Sequence, residues 1–371
     1  MQDLDPSAGS GITPGPPAPL TPGDEALIHA LQLAPRASWS RIGEVLGVDP
    51  VTVARRWERL RSSGRAWITA YPGRRLQQGI EVTVVEIDCR SGEVEAVADA
   101  LAAMPQIVTV EHMAGGRDLL VTLFTADLGA LSRLLLDRIS RMPGVVATRA
   151  QLATRVYGDG SRWRLRALSE AQQRSLSDLA PPRPARRPAG TAPEPPPELD
   201  AASRSLLPAT SADGRRSVAQ LAQVTGLSPT TVRRRLTRLI EEHDLMLRCE
   251  VARELTDWPV SATLWAQVPP AQLESAARGL LTLAEVRLCA CVTGPNNLLF
   301  TVWLRSVADV QRLEAQLAER LPFLTLVDRA IALRQTKLMG HLVGPGGRAT
   351  GVVPVDLWAE TSGQGTARAG S

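Results

Sequence analysis

The stretch that decides the fold occurs twice in this 371-residue chain. Its two copies read Asp49-Pro50-Val51-Thr52-Val53-Ala54-Arg55-Arg56-Trp57-Glu58-Arg59-Leu60 and Ser228-Pro229-Thr230-Thr231-Val232-Arg233-Arg234-Arg235-Leu236-Thr237-Arg238-Leu239. Each copy begins with a residue type that caps helix N-termini. A proline follows at the first helical position, where its missing N–H costs nothing. Both stretches therefore predict a short helix.

Apolar residues recur in both predicted helices at the spacing that places them on one face. That face carries Val53, Trp57 and Leu60 in the first copy and Val232, Leu236 and Leu239 in the second. The arginines fall on the remaining surface. The function of the chain has to account for a basic helix that occurs twice.

Two shorter helices are predicted ahead of the first basic helix. Asp24 to Leu33 forms one, Ser38 opens the other, and Gly47 marks the turn that follows. Three short helices with a tight, glycine-containing turn before the last are typical of a helix-turn-helix domain.

Positive charge is concentrated around both basic helices. Nine arginines face three acidic residues from Arg36 to Arg75, and eight face five from Arg215 to Glu254. Such clustering is typical of a nucleic-acid interface. Because Lys337 is the only lysine, the arginine count alone could reflect composition, so the inference depends on the clustering.

The segment after the first helix-turn-helix alternates strand and helix patterns. The predicted order is strand, helix, two strands, helix and strand, over residues 82–87, 92–104, 107–113, 119–124, 128–139 and 145–156. This βαββαβ order predicts a ferredoxin-like layer of sheet and helices.

The whole arrangement then repeats at a constant separation of 179 positions. Arg36 matches Arg215, Gly115 matches Gly294, and the intervening residues align without a gap. The predicted fold class is therefore α+β, with two tandem units, each a winged helix-turn-helix domain followed by a ferredoxin-like βαββαβ domain.

Composition and the repeat together set the expected domain boundaries. The helix-turn-helix domains are expected at 23–72 and 199–249, and the βαββαβ domains at 78–158 and 257–343. Disordered tails are expected at 1–22 and 344–371, and a proline-rich linker at 159–198.

Several function classes are disfavoured by the sequence. The four cysteines show neither a disulfide framework nor zinc-ligand spacing. No apolar run approaches the ~18 residues of a membrane span, and no signal peptide is evident. The four histidines are scattered. We therefore expect a cytoplasmic protein with no metal, no cofactor and no enzymatic activity.

The order of domains resembles that of the Lrp/AsnC family of transcription regulators. The likeness rests on Leu199-Asp200, on Arg215 to Leu239, on the turn Gly115-Gly116-Arg117-Asp118-Leu119-Leu120 and on Met142-Pro143-Gly144-Val145. It covers roughly residues 24–157 and 199–340. The second copy departs from the pattern at Pro208, Asn297 and Phe323.

The resemblance implies a sequence-specific DNA-binding regulator in which the two units pair within one chain and self-associate further. The N-terminal part of each recognition helix would enter a major groove, with arginine reading guanine or meeting phosphates. The expected DNA-binding residues are Thr52, Arg55, Arg56, Arg59, Thr230, Thr231, Arg233, Arg234, Arg235 and Arg238. The alternative for these arginines is a solvated face of a structural helix.

The resemblance also implies a small-molecule effector, typically an amino acid, at the interface of the βαββαβ domains. The expected effector residues are Gly115, Arg117, Asp118, Gly294 and Asn297. A carboxylate can meet an ammonium group and an arginine a carboxylate. Plain hairpin connections are the equally open alternative. The effector itself, the target genes and the direction of regulation stay open.

Two other functions are compatible with the same domain plan. Siroheme decarboxylases resemble these regulators but carry histidines and a Tyr-Asn-Leu-Trp-like strand motif. This chain has Asn296-Asn297-Leu298-Leu299 and Arg117-Asp118-Leu119-Leu120 at those places. A ligand sensor that no longer binds DNA is the other alternative.

Overall fold

The structure is a computed structural model that describes residues 19–179 and 197–359. The elements of the first unit are α1 (Pro22–Leu33), α2 (Trp39–Leu46), α3 (Pro50–Ser62), β1 (Ala66–Pro72), β2 (Glu81–Cys89), α4 (Val94–Ala102), β3 (Ile107–Ala114), β4 (Leu119–Thr125), α5 (Leu128–Ser132), β5 (Val145–Gly158) and α6 (Glu170–Ser177). Helix α5 continues as a π-helical segment, Arg133–Ile139. The predicted order of elements is confirmed.

The second unit repeats the plan. Its elements are α7 (Ala201–Arg204), α8 (Leu206–Ala212), α9 (Val218–Thr225), α10 (Pro229–Glu241), β6 (Leu245–Val251), β7 (Val260–Gln267), α11 (Leu273–Leu280), β8 (Val286–Val292), β9 (Leu298–Leu304), α12 (Asp309–Arg320), β10 (Thr325–Leu338), β11 (His341–Val343) and β12 (Ala349–Val352). Among the described residues, no helix is long and apolar enough to cross a membrane.

The sheets of the two units join into one closed, antiparallel eight-stranded barrel. Its strands run in the order β10-β3-β4-β2-β5-β8-β9-β7, and β7 pairs again with β10. The last strand of each unit lies against the second strand of the other, since β5 pairs with β8 and β10 with β3. The two units therefore pair within one chain.

Both faces of β2, β3, β4, β7, β8 and β9 are largely buried, which explains why these strands read as nearly continuous apolar runs. The long strands β5 and β10 are more exposed. In β2, Val84 points into the barrel, where it packs with Trp265. Its neighbours Val85 and Ile87 point outward against the helical layer that includes Leu101. The outward faces are covered by α4 and α5 in one unit and by α11 and α12 in the other.

The helix-turn-helix domains are interlocked through a two-stranded ribbon. Strand β1 pairs with β6 over seven residues, from Ala66–Val251 to Pro72–Leu245. The core of the first domain includes Val251 from the second unit, and the core of the second includes Trp67 from the first. The two domains are therefore one packed body.

The expected linker at 159–198 is folded over much of its length, which corrects the predicted boundary. Helix α6 packs on the first helix-turn-helix domain, with Trp163 and Leu176 buried. The Gln172 side chain donates to the carbonyl of Val45 over 3.1 Å, so it satisfies a backbone group in the last turn of α2. Residues 180–196, which hold most of the predicted proline-rich stretch, lie outside the described residues.

The two expected tails are also shorter than predicted. Residues 344–359 pass over the second helix-turn-helix domain, where Val355 and Leu357 are buried. At the other end, Leu20 is buried in the first domain. Apolar residues at these places supply burial that composition-based boundaries overlooked. The remainder of both predicted tails, 1–18 and 360–371, lies outside the described residues.

Pro208 lies just after an interruption in the first helix of the second unit. The chain forms α7 and α8 with a break at Ser205. A proline at position 208 cannot donate a hydrogen bond to the carbonyl of Arg204, four residues earlier. Leu206 and Leu207 nevertheless remain buried, so the domain keeps its core.

Lys337 lies fully buried at the seam between the two units. Its Nζ donates to the carbonyl of Met104 over 2.8 Å. Burial lowers the pKa of this amine to about 7, from 10.5 when exposed. The unfolded chain therefore binds the proton more tightly than the folded chain. The lysine lowers stability most below pH 7, and this penalty fades as the pH rises toward 10.5.

We expect Lys337→Met to remove this pH dependence. From pH 6.5 to pH 10, the free energy of unfolding of the native protein should rise relative to that of the variant. Denaturant titrations of both proteins at several pH values measure the difference. Two curves that run parallel over this range would contradict the assignment.

Candidate nucleic-acid interface and effector turns

The two recognition helices, α3 and α10, are capped by different side chains. The carboxylate of Asp49 accepts hydrogen bonds from the backbone N–H groups of Val51 and Thr52, at 2.9 and 3.3 Å. In the second unit the hydroxyl of Ser228 accepts one from the Thr231 N–H at 3.2 Å. Both caps satisfy donors at the helix start.

The predicted apolar stripes of α3 and α10 are buried, and this places most of the predicted DNA-binding residues on the open face. Of the predicted residues in α3, Thr52, Arg55 and Arg59 are exposed. Of those in α10, Thr230, Arg233, Arg234 and Arg238 are exposed. Thr231 is half-buried, and its hydroxyl lies 2.8 Å from that of Ser228. Each unit thus presents a basic surface.

Arg56 and Arg235, which occupy equivalent positions, turn toward the helix-turn-helix domain itself. The Nε of Arg56 lies 3.9 Å from the carboxylate of Asp24 in α1. Arg235 donates to Asp200 at 2.6 Å and to Ser203 at 2.8 Å. These contacts brace each recognition helix against the start of its domain.

A reciprocal pair of arginines joins the two helix-turn-helix domains. Arg36 donates to the carbonyls of Gly214 and Arg216 at 2.5 and 2.9 Å. Arg215 donates to the carbonyls of Pro35 and Ala37 at 2.6 and 2.9 Å. Each arginine therefore grips the backbone on both sides of the other. We call this arrangement the arginine clasp.

The clasp is partly buried and also packs against an aromatic ring. The guanidinium of Arg215 lies 3.7 Å from the ring centre of Trp39, a cation–π contact. Burial, and next the nearby charge of Arg36, lower the pKa of Arg215 to about 10. At neutral pH both arginines remain charged. Together with the β1–β6 ribbon, the clasp holds the two recognition helices in a fixed relation.

The first predicted effector turn brings Gly115, Arg117 and Asp118 together, but its charged groups already have partners. Gly115 has a φ of +134°, a conformation that favours glycine. The carboxylate of Asp118 accepts the backbone N–H of Cys89 at 2.7 Å. It ties the β3–β4 turn to the end of β2.

Arg117 is buried inside the barrel, at the contact between the two units. Its Nε lies 3.2 Å from the carboxylate of Glu86, and its Nη2 pairs with Asp328 of the second unit. The guanidinium lies 4.0 Å from the ring centre of Trp265. Gln151 links the remaining groups, since it accepts from Trp265 at 3.0 Å and donates to Glu86 at 2.9 Å.

The second predicted effector turn uses an amide for the same structural purpose. Asn297 accepts the N–H of Val268 at 3.0 Å and donates to its carbonyl at 2.8 Å. Gly294 has a φ of +111°. This turn borders an open depression of about 480 Å³, lined by Gln267, Val268, Pro269, Gly294, Pro295, Asn297, Phe323 and Thr325. The lining contains no charged side chain.

Sequence reasoning missed the three partners of Arg117 and also Gln151, which links two of them. Glu86, Gln151, Trp265 and Asp328 lie on four different strands, and two of them belong to the other unit. One signal was present in the sequence. A glutamate inside the otherwise apolar strand Val82–Ile87 predicts a buried ionic partner.

Comparison with known proteins finds both expected helix-turn-helix domains and the first of the two expected effector domains. Residues 20–61 and 199–240 match the AsnC-type helix-turn-helix domain. Residues 82–163 match the Lrp/AsnC ligand binding domain. An uncharacterized HTH-type transcriptional regulator of Pyrococcus furiosus is 27% identical over 134 residues, which cover 36% of this chain and 90% of that protein. HTH-type transcriptional regulator FL11 of Pyrococcus horikoshii is 26% identical over 141 residues, which cover 38% of this chain and 92% of that protein.

Among solved structures, the siroheme decarboxylase NirDL matches both units. Its TM-score is 0.54 at 14% identity, over 86% of this chain and 93% of that chain. The leucine response regulatory protein LrpA of Mycobacterium tuberculosis is 25% identical, with a TM-score of 0.33 over 37% of this chain and 93% of that chain. The likeness to the decarboxylase shows a shared fold.

We expect Arg36→Met to lower the free energy of unfolding by about 1–3 kcal/mol, because it removes two charge-assisted hydrogen bonds to buried backbone carbonyls. The matched control is Arg41→Met, which removes an exposed pair with Glu44 and should change stability by less than about 0.5 kcal/mol. Denaturant unfolding measures both. Equal effects of the two substitutions would contradict the clasp.

Proposed function

We propose that this chain, an internally duplicated transcriptional regulator of the Lrp/AsnC type, binds one asymmetric double-stranded DNA site with both recognition helices at once. The observation that carries the proposal is the single packed body formed by the two helix-turn-helix domains. The β1–β6 ribbon and the arginine clasp hold it together. An ordinary dimer would place two identical helices on a palindrome. Here the two helices differ in sequence.

The exposed faces of α3 and α10 supply groups suited to DNA. Arg55 and Arg234 lie one turn into their helices, where a side chain can reach the paired acceptors of guanine. Arg59 and Arg238 lie a further turn along and are placed to meet phosphates, as is Arg233. Thr52, Thr230 and Thr231 lie in the first turns. The helices would enter major grooves about one turn, ~34–36 Å, apart.

Arg56 and Arg235 act in this proposal as positioning residues. Their contacts to α1 and α7 fix the tilt of each recognition helix. Their loss would weaken binding through misplacement of the neighbouring arginines.

Replacement of both base-facing arginines, Arg55→Ala with Arg234→Ala, should abolish sequence-specific binding and leave the fold intact. Mobility shift at a stated salt concentration measures the affinity, because phosphate contacts make binding salt-dependent. Circular dichroism checks the fold. The specific site can be selected beforehand from a random duplex library.

The matched control removes two exposed arginines from the barrel domains, Arg141→Ala in the turn before β5 with Arg320→Ala at the end of α12. It makes the same change in net charge, so only the recognition helices should distinguish the two variants. Equal losses of affinity would mean that net charge alone drives binding. Unchanged affinity of Arg55→Ala with Arg234→Ala would contradict the assignment of the recognition helices.

We further propose that a small-molecule effector, an amino acid, binds at the β3–β4 or the β8–β9 turn. The open depression beside Gly294 and Asn297 offers room, and the amide oxygen of Gln267 can accept a hydrogen bond there, while its amide nitrogen donates to Pro295 at 3.0 Å. At the other turn, Arg117 would have to exchange Asp328 for the carboxylate of the ligand.

Family resemblance also supports further self-association of the chain and a cytoplasmic location.

Two bulky substitutions at equivalent exposed positions test the effector site. Thr325→Trp would fill the depression, and Val146→Trp would obstruct the other turn. A ligand at a hundred times its dissociation constant stabilises the folded state by about 2.7 kcal/mol. A thermal-shift screen of amino acids should therefore find a stabilising ligand whose effect is lost in only one variant. A ligand that stabilises both variants equally would contradict the site.

The same ligand panel discriminates the alternative functions. A siroheme-decarboxylase-like activity is motivated by the fold match over both units. If the chain has it, an iron porphyrin added to the panel would bind and show a shifted absorbance band. His112, the histidine inside the first βαββαβ domain, is engaged with Thr336 at 2.9 Å and with Arg334 at 3.2 Å. A sensor that has lost DNA binding would respond to its ligand but select no DNA sequence.

A further inference from the structure

We propose that the two recognition helices read their half-sites by different chemistry, with Val51 contacting the 5-methyl group of a thymine in the half-site of the first unit. This inference rests on the proposed DNA binding. In this proposal Val51 makes the two half-sites unequal, and the 5-methyl group of thymine is the feature that it recognises.

Val51 stands out on the open face of α3. It is the second residue of the helix and is 68% exposed, whereas Val53, Trp57 and Leu60 are buried. A lone exposed valine by itself says little about function. The position of Val51 is informative, because the first turn of a recognition helix is the part that contacts base edges. An apolar side chain at such a position can contact the methyl group of thymine.

The equivalent position in the second unit carries a hydroxyl instead. Thr230 lies 179 positions after Val51 and is also exposed. It can donate to or accept from a base edge. The first turns of the two helices therefore differ at the residue best placed to tell one base pair from another.

The caps extend this difference to the next residue. The carboxylate of Asp49 serves both backbone donors of the first turn of α3, and the hydroxyl of Thr52 has no partner among the described residues. In α10 the hydroxyl of Thr231 is held by Ser228 at 2.8 Å. The first unit thus offers an apolar group followed by an available hydroxyl. The second offers an available hydroxyl followed by an engaged one.

Charge is distributed unequally along the same two faces. The second unit carries Arg233 where the first has Ala54, and Thr237 where the first has Glu58. Glu58 also engages Arg61 at 2.8 Å. The second helix is therefore the stronger phosphate binder, and phosphate contacts position without specifying sequence. The two helices therefore differ in their balance of phosphate contacts and base contacts.

The test begins with selection of a specific duplex from a random library by the full chain. Each thymine of the selected site is then replaced by deoxyuridine, which removes only the 5-methyl group. Burial of one methyl group stabilises by ~0.8 kcal/mol, so one replacement in one half-site should weaken binding about fourfold. The other replacements should have smaller effects.

Val51→Ser should lower the affinity for the thymine site and abolish its response to that deoxyuridine. The matched control, Thr230→Ser, should leave the response unchanged. The inference is overturned if no single deoxyuridine weakens binding, or if the sensitive position stays sensitive in Val51→Ser. Failure to enrich any sequence would instead refute DNA binding itself, so the two failures are distinguishable.

Discussion

The rest of the structure depends on the pairing of β5 and β10, the final strands of the two βαββαβ domains, with the opposite unit. Strand β5 completes the sheet of the first unit and also pairs with β8, and β10 does the same with β3. Without these pairings each four-stranded sheet would expose an unpaired edge and an apolar inner face. The same closure sets the helix-turn-helix domains side by side, so that β1 can pair with β6 and the arginine clasp can form.

The two copies differ at the buried contacts of Arg117 in the barrel. Arg117 contacts Asp328 and Trp265 of the second unit. In a barrel of two first units, Arg149 would replace Asp328 beside Arg117, and a second Glu86 would replace Trp265. Arg117 would then lose its contacts with Asp328 and Trp265 and keep only Glu86 of its own unit. The buried contacts of Arg117 therefore distinguish the two kinds of unit.

The sequence predicted the features of the two repeated units that depend on neighbouring residues. Caps, turns and apolar spacing located α3 and α10, and the constant separation of the copies revealed the duplication. The sequence could not predict contacts between side chains that only the closed barrel brings together. The family resemblance predicts Arg117 and Asp118 as effector residues, yet one pairs across the barrel and the other holds the backbone of Cys89. Polar composition likewise concealed the folded part of the linker, which is anchored by Trp163.

The central claim is that one chain supplies both halves of a DNA-reading unit. Native mass spectrometry of the protein bound to a duplex with one selected site tests this claim most directly. The account predicts equal numbers of chains and duplexes, whatever the size of the assembly, because each chain occupies both half-sites. Two chains on every duplex would contradict it, since each chain would then contribute only one recognition helix.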